Sequence, residues 1–272
     1  MNLHYALLLG ILQGLTEFIP VSSTAHLLIA QQFLGIKASE EVFAFLVIVQ
    51  LGTLLSLIIY YWRDLRSLAI SALQLRAFRT SAETRLGWYI LLATLPALIS
   101  GYLLQDAVET LFHAPLPEAA VRLFSAALLL TMAERLSKKS RALDSMTWWD
   151  AVVIGLFQVI AVFPGASRSG TTISGGMLRG FDRASAARFA FLLSIPIMLA
   201  AGGYELLQIV ESPHLKDILP ALVVGCTAAA CSGWWAIRWL LAFLRRHSLY
   251  GFAAYCAGLG VLVTTIWLLT RG

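Results

Sequence analysis

Residues 13–26 of this chain hold, in order, Gln13, Glu17, Pro20, Ser22, Ser23, Thr24 and His26. Gln13 and Glu17 are one helical turn apart and share a helix face. Pro20 ends that helix, because it has no N–H to donate and disfavours helical geometry at Ile19. Ser22 and Ser23 have the chemistry to cap a second half-helix, and His26 lies on the same side of it, one turn on. A carboxylate, an amide, hydroxyls and an imidazole gathered at one break can activate a nucleophile, move a proton or contact a metal. Small hydroxylated residues are also common at membrane-helix breaks and contacts, so each serine reads equally well as a packing residue. Glu17 does not: a carboxylate inside an apolar segment is costly and marks a functional site by default. Beside it, His26 reads as functional rather than as a satisfied packing group.

The run Pro164-Gly165-Ala166-Ser167-Arg168-Ser169-Gly170-Thr171-Thr172 has the makings of an anion cradle. Gly165 and Gly170 let backbone turn and approach a ligand closely. Hydroxyls at the start of the following helix stand beside free N–H groups, where phosphate binds readily. Arg168 adds a planar fork of donors suited to phosphate oxygens. A glycine hinge with a snorkelling arginine is the plainer reading. Against it, Arg168 sits mid-segment with no acidic residue within ten positions. Its counter-charge must come from elsewhere, with Glu17 and a bound phosphate as the candidates. The missing lysine and the missing strand before the loop exclude a Walker loop.

The elements that carry these motifs belong to a membrane protein. Of 272 residues, 59% are hydrophobic and 13% charged, with a mean hydropathy of +0.78. A soluble domain carries about a quarter charged residues. Six apolar runs, at about 41–62, 87–104, 119–134, 186–208, 219–241 and 250–270, are long enough to span a bilayer as helices. The first ten residues show no basic region or cleavage site, so no removable signal peptide is expected.

The basic residues cluster in four groups: 63–85, 135–141, 179–188 and Arg245–Arg246. This is the positive-inside pattern of cytoplasmic loops rather than a nucleic-acid footprint, and no nucleic-acid partner is expected. The loop charges balance only if residues 3–34 and 150–180 each enter and leave by the same face. The expected fold is thus an all-α polytopic membrane protein, with six transmembrane helices and two re-entrant helical hairpins. The hairpins belong to an inverted-topology repeat within one integral membrane domain, with halves of about 1–140 and 141–272. Gln13 and Pro20-Val21-Ser22-Ser23 then stand against Gln158 and Pro164-Gly165-Ala166-Ser167. Such repeats place their site near the bilayer midplane. Cys226, Cys231 and Cys256 lie in apolar segments without ligand spacing and read as small buried hydrophobes.

The two motifs together resemble the bacterial undecaprenyl-diphosphate phosphatase family, associated with bacitracin resistance. The resemblance extends over the whole chain, and Thr172 to Met177 and Val49-Gln50-Leu51-Gly52 also fit it. It implies hydrolysis of a polyprenyl diphosphate lipid to its monophosphate, recycling the carrier of wall-polymer synthesis. The expected setting is the outer face of the bacterial inner membrane. It also implies that Glu17, Ser23, His26 and Arg168 are catalytic. Gln13, Ser22, Thr24, Gly165, Ser167, Ser169, Gly170 and Thr172 are the expected substrate contacts. A divalent cation, Mg2+ or Ca2+, is implied as cofactor, with Glu17 as a ligand. Many members have glutamate at the position of Gln13; here the acidic work falls on Glu17 nearly alone. Serine attack and direct water attack both remain open, as does a transporter or flippase of an anionic lipid or ion. The oligomeric state is not legible.

Overall fold

The computed structural model describes residues 2–37, 39–72, 81–104, 114–162, 166–211 and 215–270. Pro164 and Gly165 of the second motif lie outside them.

Eleven α-helices follow one another among the described residues. They are α1 Leu3–Phe18, α2 Ser23–Phe33, α3 Glu40–Tyr60, α4 Trp62–Ala72, α5 Ala82–Leu103, α6 Pro115–Leu136, α7 Trp148–Ile160, α8 Arg168–Leu178, α9 Arg183–Glu211, α10 Leu215–Leu244 and α11 Tyr250–Thr270. Six of them, α3, α5, α6, α9, α10 and α11, are long and apolar enough to cross a membrane, and they fall where the six apolar runs place spans. The chain is a multi-pass membrane protein. Outward faces are correspondingly apolar: Leu91, Leu95 and Ile99 repeat at one-turn spacing on the exposed side of α5. Pro96, Pro196 and Pro220 lie inside α5, α9 and α10, as membrane helices tolerate. The first span ends sooner than expected. Tyr61 caps α3, and Arg63, Asp64 and Arg66 carry the chain into the separate helix α4.

The two polar-studded segments are each a pair of half-helices packed on one another, α1 with α2 and α7 with α8. Local sequence accounts for the breaks. Ile19, forced out of helical geometry by Pro20, ends α1 in extended backbone. Thr147 and Asp150 form a reciprocal capping box that starts α7. Ser22 and Ser167 are the N-caps of α2 and α8, their side chains accepting from the N–H groups of Ala25 and Gly170. Both second half-helices are 11 residues long, and each is followed by a glycine with positive φ, Gly35 at 64° and Gly180 at 90°.

Gly10 and Gly155, Gln13 and Gln158, Ser22 and Ser167, and Gly35 and Gly180 all share one separation along the chain. The caps therefore set Ser22, not Ser23, against Ser167. Packing follows the same correspondence. Gly10 of α1 meets α10 so closely that a Cβ would lie 2.4 Å from the Gly225 carbonyl oxygen. A Cβ on Gly155 of α7 would lie 2.6 Å from the Ala93 oxygen of α5. Each hairpin thus leans its first half-helix on a long helix of the other half of the chain, while α3 packs on α9 and α6 on α11.

The first hairpin contributes to all three apolar clusters of the interior. Leu9 and Leu27 join one with α3 and α10. Phe18 joins the largest, and Val21 and Ala25 join one with α6 and α11. The break between α1 and α2 is therefore enclosed on several sides by apolar packing. Of the three cysteines, Cys256 is buried and Cys226 half-buried; Cys231 is exposed on α10, contrary to its reading as a core residue.

Candidate active site where the two hairpins meet

Glu17, in the last turn of α1, is the point on which the polar groups converge. Its Oε2 accepts from Gln13 Nε2 at 2.8 Å and from Ser23 Oγ at 2.6 Å. Its Oε1 is paired with Arg168 Nη2, which arrives from α8, the second hairpin. Glu17 is buried and the Arg168 side chain about one-fifth exposed. Three donors, one of them charged, offset the cost of burying that carboxylate. Gln13 is buried, and because its amide nitrogen faces the carboxylate, Oε1 turns away and has no partner among the described residues.

The two serines after Pro20 divide their work. Ser22 holds the break with a left-handed backbone, φ 69°, its Oγ capping α2 at 3.4 Å from Ala25 N. Its carbonyl accepts from His26 N at 3.3 Å and pairs with His26 Nδ1 at 2.8 Å. Ser23, the first helical residue, is left to point at Glu17. His26 is not in contact with that carboxylate. Its Nε2 is 2.8 Å from the hydroxyl of Tyr255 on α11, and the two rings stack at 5.7 Å between centroids. Thr24 follows Ser23 and is half-buried.

In the second motif, Ser167 Oγ caps α8 by accepting from Gly170 N at 3.2 Å. A Cβ at Gly170 would lie 3.3 Å from that same oxygen, so glycine keeps the cap open. Thr171 and Thr172 turn their hydroxyls onto the Arg168 carbonyl at 2.9 and 2.8 Å, fixing the first turn beneath the guanidinium. Ser169 Oγ lies 3.4 Å from Ser167 Oγ and 3.5 Å from the Ile19 carbonyl of the other hairpin. Of the sequence-expected residues, Gln13, Glu17, Ser23 and Arg168 are thus in direct contact. Ser22, Ser167, Ser169, Gly170 and Thr172 shape the two helix starts, and Gly165 is outside the described residues.

Two further groups have no counterpart in the sequence reading. Tyr255 is one. The other is Arg122 on α6, which pairs with Glu118 at 2.8 Å, the two side chains 8% and 9% exposed. Arg122 Nη1 also donates to the Ala166 carbonyl at 3.2 Å, bracing the entry to the Ser167 cap. Glu118 lies in the first turn of α6. The one-turn spacing of Glu118 and Arg122 was the signal available.

Comparison with known proteins shows the family. A protein-family model, described as bacitracin resistance protein BacA, matches residues 6–262. The chain is 45% identical over 274 residues to an undecaprenyl-diphosphatase of Anaeromyxobacter sp. (strain K), covering 98% of this chain and 92% of that protein. A protein of the same name from Syntrophobacter fumaroxidans is 38% identical over 280 residues, covering 100% and 99%. One from Myxococcus xanthus is 40% identical over 269 residues, covering 98% and 89%. A chain matched from end to end, with its polar residues gathered where two broken helices meet, belongs to the bacitracin resistance protein BacA family.

Proposed function

We propose that this protein hydrolyses undecaprenyl diphosphate to undecaprenyl phosphate and inorganic phosphate, recycling the lipid carrier of peptidoglycan and other wall polymers. The observation that carries the reading is the convergence of Ser23, Gln13 and Arg168 on Glu17. A hydroxyl, a carboxylate suited to be its base and a guanidinium suited to phosphate thus meet in one cluster, which supports this chemistry. Ser23 Oγ donates a hydrogen bond to Glu17 Oε2, which supports Glu17 rather than His26 as its base. Ser23 Oγ forms the bond to the terminal phosphorus, and the bridging P–O bond breaks to release the lipid monophosphate. Water then cleaves the phosphoserine, and the proton held by Glu17 is returned. Arg168 and the N–H groups at the start of α8 neutralise charge on the transferred group, the main demand of phosphoryl transfer.

A divalent cation, Mg2+ or Ca2+, belongs to the same proposal. No group of three or more His, Cys, Asp or Glu side chains among the described residues is placed to cage one. Gln13 Oε1, buried and unpartnered there, is nevertheless a hard oxygen beside Glu17. The two suit a cation that arrives on the diphosphate and takes its remaining ligands from phosphate oxygens. When bound, it would add neutralisation of phosphate charge.

The setting proposed is the bacterial inner membrane, with the site opening to the periplasmic side and both hairpins re-entrant in an inverted repeat. The matched caps, glycines and packings of the two halves support it. So does the collection of basic residues. Glu134 binds Arg183 and Lys139, Asp150 binds Arg141 and Arg179, and Asp64 binds Arg188. The ion pairs draw basic groups from separate loops together, as one cytoplasmic face requires.

Purified protein in detergent releasing phosphate from a long-chain polyprenyl diphosphate tests the activity; a transporter would release none. Arg168→Ala is expected to lower turnover by about 10³-fold or more. Ser23→Ala is expected to lose about 10²-fold or more, and activity near wild type would overturn serine attack in favour of direct attack by water.

A further inference from the structure

Tyr255 stands on a helix that the two motifs do not include, yet its hydroxyl meets one of the four expected catalytic side chains. The protonation of His26 follows from its partners. Nδ1 faces the carbonyl of Ser22 at 2.8 Å, and a carbonyl only accepts, so Nδ1 carries the hydrogen. In the neutral ring Nε2 then holds the lone pair and accepts from the Tyr255 O–H at 2.8 Å. Both ring nitrogens are thereby committed, and neither points at Glu17 or Ser23.

The remaining geometry makes this contact more than packing. His26 is buried, whereas Tyr255 is 49% exposed, and the Tyr255 hydroxyl is the side-chain group that meets Nε2. A phenol can donate or accept. When Nε2 takes up a proton, the hydroxyl turns from donor to acceptor and both heavy atoms keep their places. The stacked rings, nearly parallel at 10°, fix the imidazole plane. Cys256, the next residue, is fully buried against the first hairpin, its Sγ 4.0 Å from the Pro20 carbonyl. Cys256 also shares an apolar cluster with Val21 and Ala25 of the first hairpin.

We propose that Tyr255 is the positioning residue of His26. It holds the ring as the Nδ1–H tautomer, with Nε2 as its acid–base nitrogen, and serves that nitrogen through both protonation states. The inference rests on the hydrolase reading above. It assigns His26 to proton handling on the phosphate side of the reaction, leaving activation of Ser23 to Glu17.

The test is steady-state phosphate release by full-length protein in detergent for wild type, Tyr255→Phe, Tyr255→Ala, His26→Ala and His26→Ala/Tyr255→Phe. Phenylalanine keeps the stacked ring and removes only the hydroxyl. Tyr255→Phe is expected to lower kcat by about 10-fold or more with KM within about twofold of wild type. Tyr255→Ala is expected to lose more, and the double variant no more than His26→Ala alone. In 15N spectra of histidine-labelled protein, Tyr255→Phe should shift His26 Nε2 and leave Nδ1 in place. A Tyr255→Phe kcat within twofold of wild type, or losses that multiply in the double variant, would overturn the proposal. Absence of phosphate release by wild-type protein would instead sink the hydrolase reading itself.

Discussion

Glu17 accepts from three side chains at once, and the weakest of these donors is the informative one. Gln13 contributes a neutral amide where a second carboxylate would fit the same one-turn spacing. Gln13→Glu would place two carboxylates side by side, raising the cost of ionising both and inviting a cation between them. On the proposed cation role, the expected outcome is tighter cation binding: apparent divalent-cation affinity rises by about 10-fold or more, read from titrations of activity and of bound metal. The contact of Glu17 with Arg168 was foreseeable, because a mid-segment arginine with no local acid needs a distant one. Which serine faces the carboxylate was not. Ser22 and Ser23 have the same hydroxyl, and only the left-handed backbone at Ser22 decides that one caps and the other points inward. Tyr255 was hidden for a different reason. A tyrosine in an apolar span has the composition of any membrane aromatic, and its pairing with His26 joins opposite ends of the chain.

At the scale of elements, precision in the site depends on how closely the half-helices approach the helices they lean on. A Cβ on Gly14 would fall 2.5 Å from the Ala229 carbonyl oxygen of α10, so even alanine must push α1 outward. Gly14→Ala is expected to cost about 1–3 kcal/mol by overpacking and to lower turnover by moving Gln13 and Glu17. Thermal unfolding in detergent, read beside phosphate release, checks both. The pair Glu118–Arg122 makes the complementary case on α6. Arg122→Met alone strands a half-buried carboxylate and is expected to destabilise by about 1–3 kcal/mol, whereas Glu118→Met with Arg122→Met recovers most of that loss. The spans themselves were legible, since about twenty apolar residues announce a membrane helix. The amphipathic α4 was not, because its start depends on where α3 leaves the apolar band.

For the whole molecule, the re-entrant reading makes a claim about sides. Both ends of the first hairpin open outward, and both ends of the second open inward. Phe33, at the end of α2, and Arg245, after α10, are both exposed. In a background with Cys226, Cys231 and Cys256 replaced by alanine, Phe33→Cys is expected to react with an impermeant thiol reagent added outside intact cells. Arg245→Cys is expected to react only after the membrane is opened. Labelling of both positions from the same side would overturn the inverted arrangement. The charge pattern of the loops carried this expectation. The register between the halves needed the caps, because the hairpin sequences match at few residues.

That register has one more consequence, for how such a site could originate. Ser23 and Arg168 occupy equivalent positions, the first helical residue after the two capping serines, and both reach the same carboxylate. Two identical copies of one half, paired about a two-fold axis, would carry the same side chain at both positions. On the proposed mechanism, two serines would leave the carboxylate without a cation, and two arginines would leave the reaction without a hydroxyl. That division of labour would need two different halves in one-to-one ratio, and a single chain that carries both guarantees the ratio in every molecule.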